Sequence, residues 1–141
     1  MISSNLKKVY TVFLDSGTDT WAWIKNAEDE TMYVGGMAGC YKDWGGEHEI
    51  SKRLLDEAEQ WLLIFERAVL YSIDNVLAFD WESLQKKGFE IAIKLKQELG
   101  DKAVVRYVKP TEDPSYISDE GFEVLDNGTI ISIKRLWWCS V

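Results

Sequence analysis

The chain predicts an α+β fold: a mainly antiparallel sheet, made of an N-terminal meander and a C-terminal hairpin, with two long helices packed on it. Three observations predict it. Runs rich in β-branched and aromatic residues open the chain, two segments with apolar residues at steps of three and four occupy its middle, and an Asn-Gly turn signal lies between apolar runs near its end. Strands, then helices, then strands is the order expected of α+β rather than of alternating α/β architecture. At 141 residues, a single domain spanning 1–141 can bury a sizeable core.

Residues 9–14 (VYTVFL) read as the first strand, bounded by the turn signal Asp15-Ser16-Gly17. In 20–25, strand alternation sets Trp21 and Trp23 on one face, with Ala22 and Ile24 on the other. Residues 27–30 read as an acidic turn and 31–34 as the start of a third strand. The stretch 35–46 carries five glycines and reads as a connection. A long helix is expected over 49–70, with Ile50, Leu54, Ala58, Trp61, Phe65 and Ala68 as its inward stripe and Leu55, Leu62 and Val69 as a second row. Residues 71–79 cross to the second helix.

That helix is the clearest element. Asp80 suits the N-cap, because its carboxylate can accept from unpaired N–H groups of the first turn, and Glu82 adds charge favoured by the helix dipole. Trp81, Leu84, Gly88, Ile91, Ala92, Leu95 and Leu99 form one apolar face. Lys86, Lys87, Glu90, Lys94, Lys96 and Glu98 fill the remainder, with Glu90 and Lys94 as an i, i+4 pair. Gly88 costs about 1 kcal/mol relative to alanine in a helix, so its presence implies close approach of another backbone. Gly100 supplies the left-handed residue that ends the helix. Residues 103–108 then read as a strand stopped by Pro110. A polar, acidic loop follows, and from 112 to 126 there are six acids and no base. Residues 122–125 and 129–138 form the closing hairpin, for which Asn127-Gly128 predicts a type I′ turn.

The block FDWESLQKKGFEIAIKLKQELGDKAVVRYVKP resembles a pattern in small bacterial proteins: an Asp-Trp opening, a helix with a central Gly and an apolar-Ala-x-x-Leu step, Glu-Leu-Gly, then a strand ending near Tyr. Some of these are similar to immunity proteins of polymorphic or contact-dependent growth inhibition toxin systems. With the preceding helix, which carries Trp61 and Phe65, the resemblance covers residues 50–110 and rests chiefly on capping and core positions. It implies a cytoplasmic protein that neutralises one cognate toxin domain. Here the run Trp61-Leu62-Leu63-Ile64-Phe65 is more apolar than an exposed helix face requires, so that helix is buried on more than one side or meets a partner.

Composition narrows the function classes. Hydrophobic residues at 46% and charged residues at 28% exclude wholesale disorder. A net charge of −8 argues against a nonspecific nucleic-acid binder, which needs clustered Lys and Arg, and favours a basic partner. Cys40 and Cys139 are too far apart in sequence to suggest a disulfide framework or metal cluster, so a reducing, cytoplasmic setting is the simpler reading. The first eight residues lack the order of a secretory signal, and no apolar run is long enough to span a bilayer.

No residue pattern announces a reaction. The glycines at 35, 36, 39, 45 and 46 match neither a Walker A loop nor a dinucleotide fingerprint. His48, the only histidine, lies near Cys40 and Asp43, and a Cys–His pair could activate a thiolate, but sequence proximity alone does not assemble such a site. One Cys beside one His is too few ligands for tetrahedral zinc. Consecutive acids such as 28–30 read as a solvated turn. No cofactor or metal is expected.

What remains is acidic and aromatic together. Among seven tryptophans, Trp61 and Trp81 sit on core stripes, the adjacent Trp137 and Trp138 point to opposite strand faces, and Trp44 lies in the glycine-rich connection. Tryptophan and tyrosine are favoured interface anchors. The expected activity is therefore binding: an immunity protein that occludes a cognate toxin domain, a nuclease or another basic enzyme. The expected partner-binding residues are Asp43, Glu47, Glu112, Asp113, Asp119 and Glu120 as the acids, with Trp44 and Tyr116 as anchors. Two alternatives stand beside it: a small enzyme with a site near Cys40 and His48, and a module that self-associates through the helix at 49–70. The chain is expected to be a monomer or a weak homodimer.

Overall fold

The computed structural model describes residues 8–15, 18, 20–26, 39–40, 50–69, 78–117 and 120–134. Its described strands are β1 (Lys8–Phe13), β2 (Ala22–Asn26), β3 (Gly39–Cys40), β4 (Ala103–Val108), β5 (Glu120–Val124) and β6 (Ile130–Lys134); its helices are α1 (Lys52–Val69) and α2 (Trp81–Leu99). The strands form one sheet in the order β3-β2-β1-β4-β5-β6. Every neighbouring pair is antiparallel except β1 and β4, which run parallel from Lys8↔Ala103 to Phe13↔Val108. The α+β class, the N-terminal meander and the two-helix layer are as the sequence predicts. The third strand expected at 31–34, the turn at 27–30 and the crossing at 71–77 lie outside the described residues. Gly39–Cys40, read from sequence as part of a connection, adds two residues of ladder to β2.

Both helices cover one face of the sheet. Tyr10, Val12, Ala22, Ile24, Val105, Tyr107 and Val124 of that face share a core with Leu54, Trp61 and Phe65 of α1 and Leu84, Ile91 and Leu95 of α2. Each residue assigned to the inward stripe is buried, including Ile50 just ahead of α1. Leu63 and Ile64 are instead 40% and 47% exposed, so the apolar run of α1 is not buried all round. Helix α1 starts at Lys52 rather than near 49 because Ser51 caps it: its Oγ accepts from Leu54 N at 3.1 Å, and Glu98 of α2 holds Ser51 through bonds of 2.8 and 2.6 Å.

Trp21 and Trp23 part company. Trp21 precedes β2 in a bend and joins the helix-side core, whereas Trp23 packs on the opposite face against Phe13 and Val108 and donates Nε1–H to Phe13 O at 3.2 Å. Strict alternation fails because the strand begins at Ala22, two residues later than the pattern suggests, which leaves Trp21 in the bend before it.

Gly88 is explained by side chains, not by backbone. A Cβ there would stand 2.5 Å from Tyr107 Cε1 and 2.7 Å from Trp61 Cζ2. Two aromatic rings thus occupy the space, and Trp61 anchors itself by donating Nε1–H to Leu84 O at 2.9 Å. The hairpin turn also differs from expectation. Gly128 N donates to Leu125 O at 2.9 Å, which places Asp126 and Asn127 at the centre of the turn and leaves Gly128 after it at φ +84°. This is a three-residue loop with its glycine at the positive-φ position, in place of the two-residue type I′ turn.

Candidate functional site

The connection between α2 and β4 is short, a single 3-10 turn over Gly100–Lys102. Strand β4 therefore runs back along α2, and its exit loop returns to the start of that helix. The loop after β1 leaves the sheet at the same end, because β1 and β4 are parallel. Three chain segments thus converge there: the residues after Phe13, the start of α2, and the loop from Lys109 to β5.

Each segment contributes acid. At the start of α2, Asp80 accepts from Ser83 N at 3.1 Å and from Ser83 Oγ at 2.7 Å, and these bonds hold its carboxyl below the usual aspartate range. Glu82 is exposed in the first turn. In the loop, Asp113 is only 5% exposed, and its Oδ1 accepts from both Ser115 N and Ser115 Oγ at 2.8 Å. Glu112 raises the carboxyl of Asp15, after the larger effect of Asp15's own burial. The loop's one base, Lys109, is turned inward: its Nζ donates to Ser115 Oγ at 2.9 Å and stands 3.6 Å from Glu120 Oε1.

Phe79, Asp80, Trp81 and Glu82 on one side, with Asp113 and Ser115 on the other, line an open cleft of about 440 Å³. Its wall is aromatic, since Phe79 and Trp81 meet edge to face at 4.9 Å between centroids. Beneath Asp113 the Tyr107 hydroxyl is buried with no hydrogen-bond partner among the described residues. Burial foremost, then the Asp113 charge, pushes that phenol well above its ordinary value.

Of the residues proposed from sequence, Asp43, Trp44, Glu47 and Asp119 lie outside the described residues, as does His48; of Cys40 only the backbone is described. Of the remaining four, Glu112, Asp113 and Tyr116 lie in the loop and Glu120 opens β5, and they take different positions. Glu112 lies within electrostatic range of Asp15, Asp113 is drawn into its own turn, and Glu120 folds back towards Lys109. Tyr116 is half-buried on the second-face cluster formed by Phe13 and Val108. Sequence reasoning missed Asp15, Glu82, Trp81 and Phe79 as neighbours of this loop. The signal was present: a helix joined to a strand by a tight turn must bring its own start beside the strand's exit.

Among the described residues, no three of His, Cys, Asp or Glu form a group able to hold a metal ion, and no helix is long and apolar enough to cross a membrane. No family model matches the chain, and searches of the curated proteins and of the solved structures found no match.

Proposed function

We propose that this chain is a noncatalytic immunity protein that binds a cognate toxin domain, a nuclease or another basic enzyme, and occludes its active site in the cytoplasm. One observation carries the reading: Asp15, Asp80, Glu82, Glu112 and Asp113 gather at one end of the sheet, while the loop's only base is engaged inward. A surface of this kind speeds encounter with a basic cleft and loses that advantage as salt rises. The resemblance of residues 50–110 to immunity proteins supplies the class of partner.

The test is protection. Co-expression with the toxin domain encoded immediately upstream should restore growth, and the purified pair should associate at a rate that falls steeply with ionic strength. Absence of binding to that domain, or turnover of a substrate by the isolated chain, removes the proposal. A second reading has its own observation: the exposed Leu63 and Ile64 on α1 suit self-association through that helix. A concentration-dependent mass by light scattering favours it, and a strict monomer excludes it.

A further inference from the structure

We infer that a second copy of this chain docks on the outer edge of β6, strand against antiparallel strand, about a two-fold axis at Ser132. The inference does not depend on the immunity reading and uses a surface other than α1. Among the described residues the sheet has two edges, and they differ. Strand β3 is two residues long, and shortness commonly keeps an edge from pairing. Strand β6 runs five residues in unbroken register with β5, contains no proline, and carries charge only at its last position. An edge without such protections is a template for another strand. Ile131 on it is 40% exposed, and Ser132 is exposed as well.

The hydrogen-bonding phase of β6 suits its own copy. Thr129 O accepts from Leu125 N at 2.8 Å, so Thr129, Ile131 and Ile133 turn their main-chain groups towards β5. Ile130, Ser132 and Lys134 turn theirs outward. A second β6 reversed about Ser132, the middle residue, sets 130 against 134 and 132 against 132, and satisfies every outward group. Ile131 of one copy then faces Ile133 of the other, at the positions where opposed side chains stand closest. Both lie on the face away from the helices, where Ile133 already packs on Phe13 and Val108, so the isoleucines of two copies close a patch that is open in one. Charge fits the same arrangement. A chain of net charge −8 repels its copy, so the seam has to be matched locally. Residues 129–133 are uncharged; the strand ends on Lys134 and is entered through Asp126, whose side chain is 79% exposed. Antiparallel pairing directs the lysine end of each copy towards the aspartate turn of the other, whereas a basic partner would find no acid along the strand.

Sedimentation equilibrium and amide hydrogen exchange on the full chain test this. The mass should climb from one chain towards two as concentration passes on the order of 100 µM, since a single strand pair is a small interface. Over the same range the amides of Ile130, Ser132 and Lys134 should gain protection, whereas those of Ile131 and Ile133, already bonded to β5, should be protected at every concentration. Ser132→Pro deletes an outward N–H while sparing the ladder to β5, and should hold the chain monomeric with its unfolding in dilute solution little changed. Ile131→Lys, at an exposed position, sets a charge against Ile133 of the other copy and covers the case in which the proline variant fails to fold. Leu63→Lys on α1 should leave the mass curve as it is. A chain that stays monomeric to about 1 mM, association that survives both β6 substitutions, or association lost with Leu63→Lys overturns the inference.

Discussion

The two ends of α2 handle charge in opposite ways. At its C-terminal end Lys96, only 7% exposed, donates Nζ–H to Ala103 O at 2.8 Å and pairs with Asp126 of the β5–β6 turn at 3.3 Å, so its charge stitches helix, strand and hairpin together. Midway along, Glu57 of α1 receives both Lys87 and Lys94, the latter at 3.0 and 2.9 Å, and ties the helices to one another. At the N-terminal end, acids collect around a cleft without a matching base from the loop beside it. Charges paired with opposite charges inside the chain build the fold; acids that gather beside local hydroxyl and amide donors, without a cation from the neighbouring loop, are the ones to ask an outside partner about.

Substitutions can break or sharpen that contrast. The largest effect comes from a change with no charge in it. Gly88→Val pushes into Tyr107 and Trp61 and should lower unfolding stability by about 3 kcal/mol in urea titration. A loss well under 1 kcal/mol would show the helix-to-sheet contact to be loose. Next, Lys96→Ala strips Ala103 O of its side-chain donor and should cost about 2 kcal/mol. Its control, Asp126→Asn, removes a pair whose acid is well exposed, and should cost less than about 0.5 kcal/mol. If the two cost the same, the bond to Ala103 O is not what matters.

Glu57→Gln should cost about 1 kcal/mol at neutral pH. Hydrogen bonds from Lys87 and then Lys94 hold the Glu57 carboxyl below its ordinary value. The folded state therefore binds this proton less readily than the unfolded chain. The contribution is full above the unfolded value near 4.5 and disappears as pH falls through the lower folded one. The difference between wild type and Glu57→Gln should shrink over that acid range.

Asp15→Asn should give the smallest change, and one of opposite sign. Burial and then Glu112 raise the Asp15 carboxyl, so its charged form costs the folded state at neutral pH. The substitution should raise stability by less than about 0.5 kcal/mol at pH 7. Protonation gives the wild type the same relief as pH falls, so the gain should fade as pH drops through the raised folded value and be gone below the unfolded value near 3.8. A loss of stability at pH 7 would place Asp15 among the paired charges and erase the contrast.

Local signals carried most of the fold. The Asp80 cap, the stripes of α1 and α2, and the strand closed by Pro110 were legible because each is decided within a few residues. Parallel pairing of β1 with β4 was not, since it joins segments far apart in sequence, with both helices between them. Lys96 was read as part of the polar face because its neighbours at 94 and 98 are exposed, but the hairpin that covers it comes from residues 120–134. Likewise Lys94 turns to Glu57 rather than pairing with Glu90, as only the packing of two helices reveals. The acidic loop was visible as composition. Its aromatic wall was not, because Phe79 and Trp81 reach it through the antiparallel return of β4 along α2.

The central β1–β4 ladder has a consequence for the chain's birth. These strands are separated by roughly ninety residues, so the middle of the sheet cannot close until Val108 has left the ribosome. At about 5–20 residues per second, β1 and β2 wait several seconds as a lone hairpin with an open edge. Non-local closure of this kind also slows refolding relative to helical proteins of similar size. A chaperone that shelters bare strand edges therefore has its window on this molecule early, before the second half of the chain arrives.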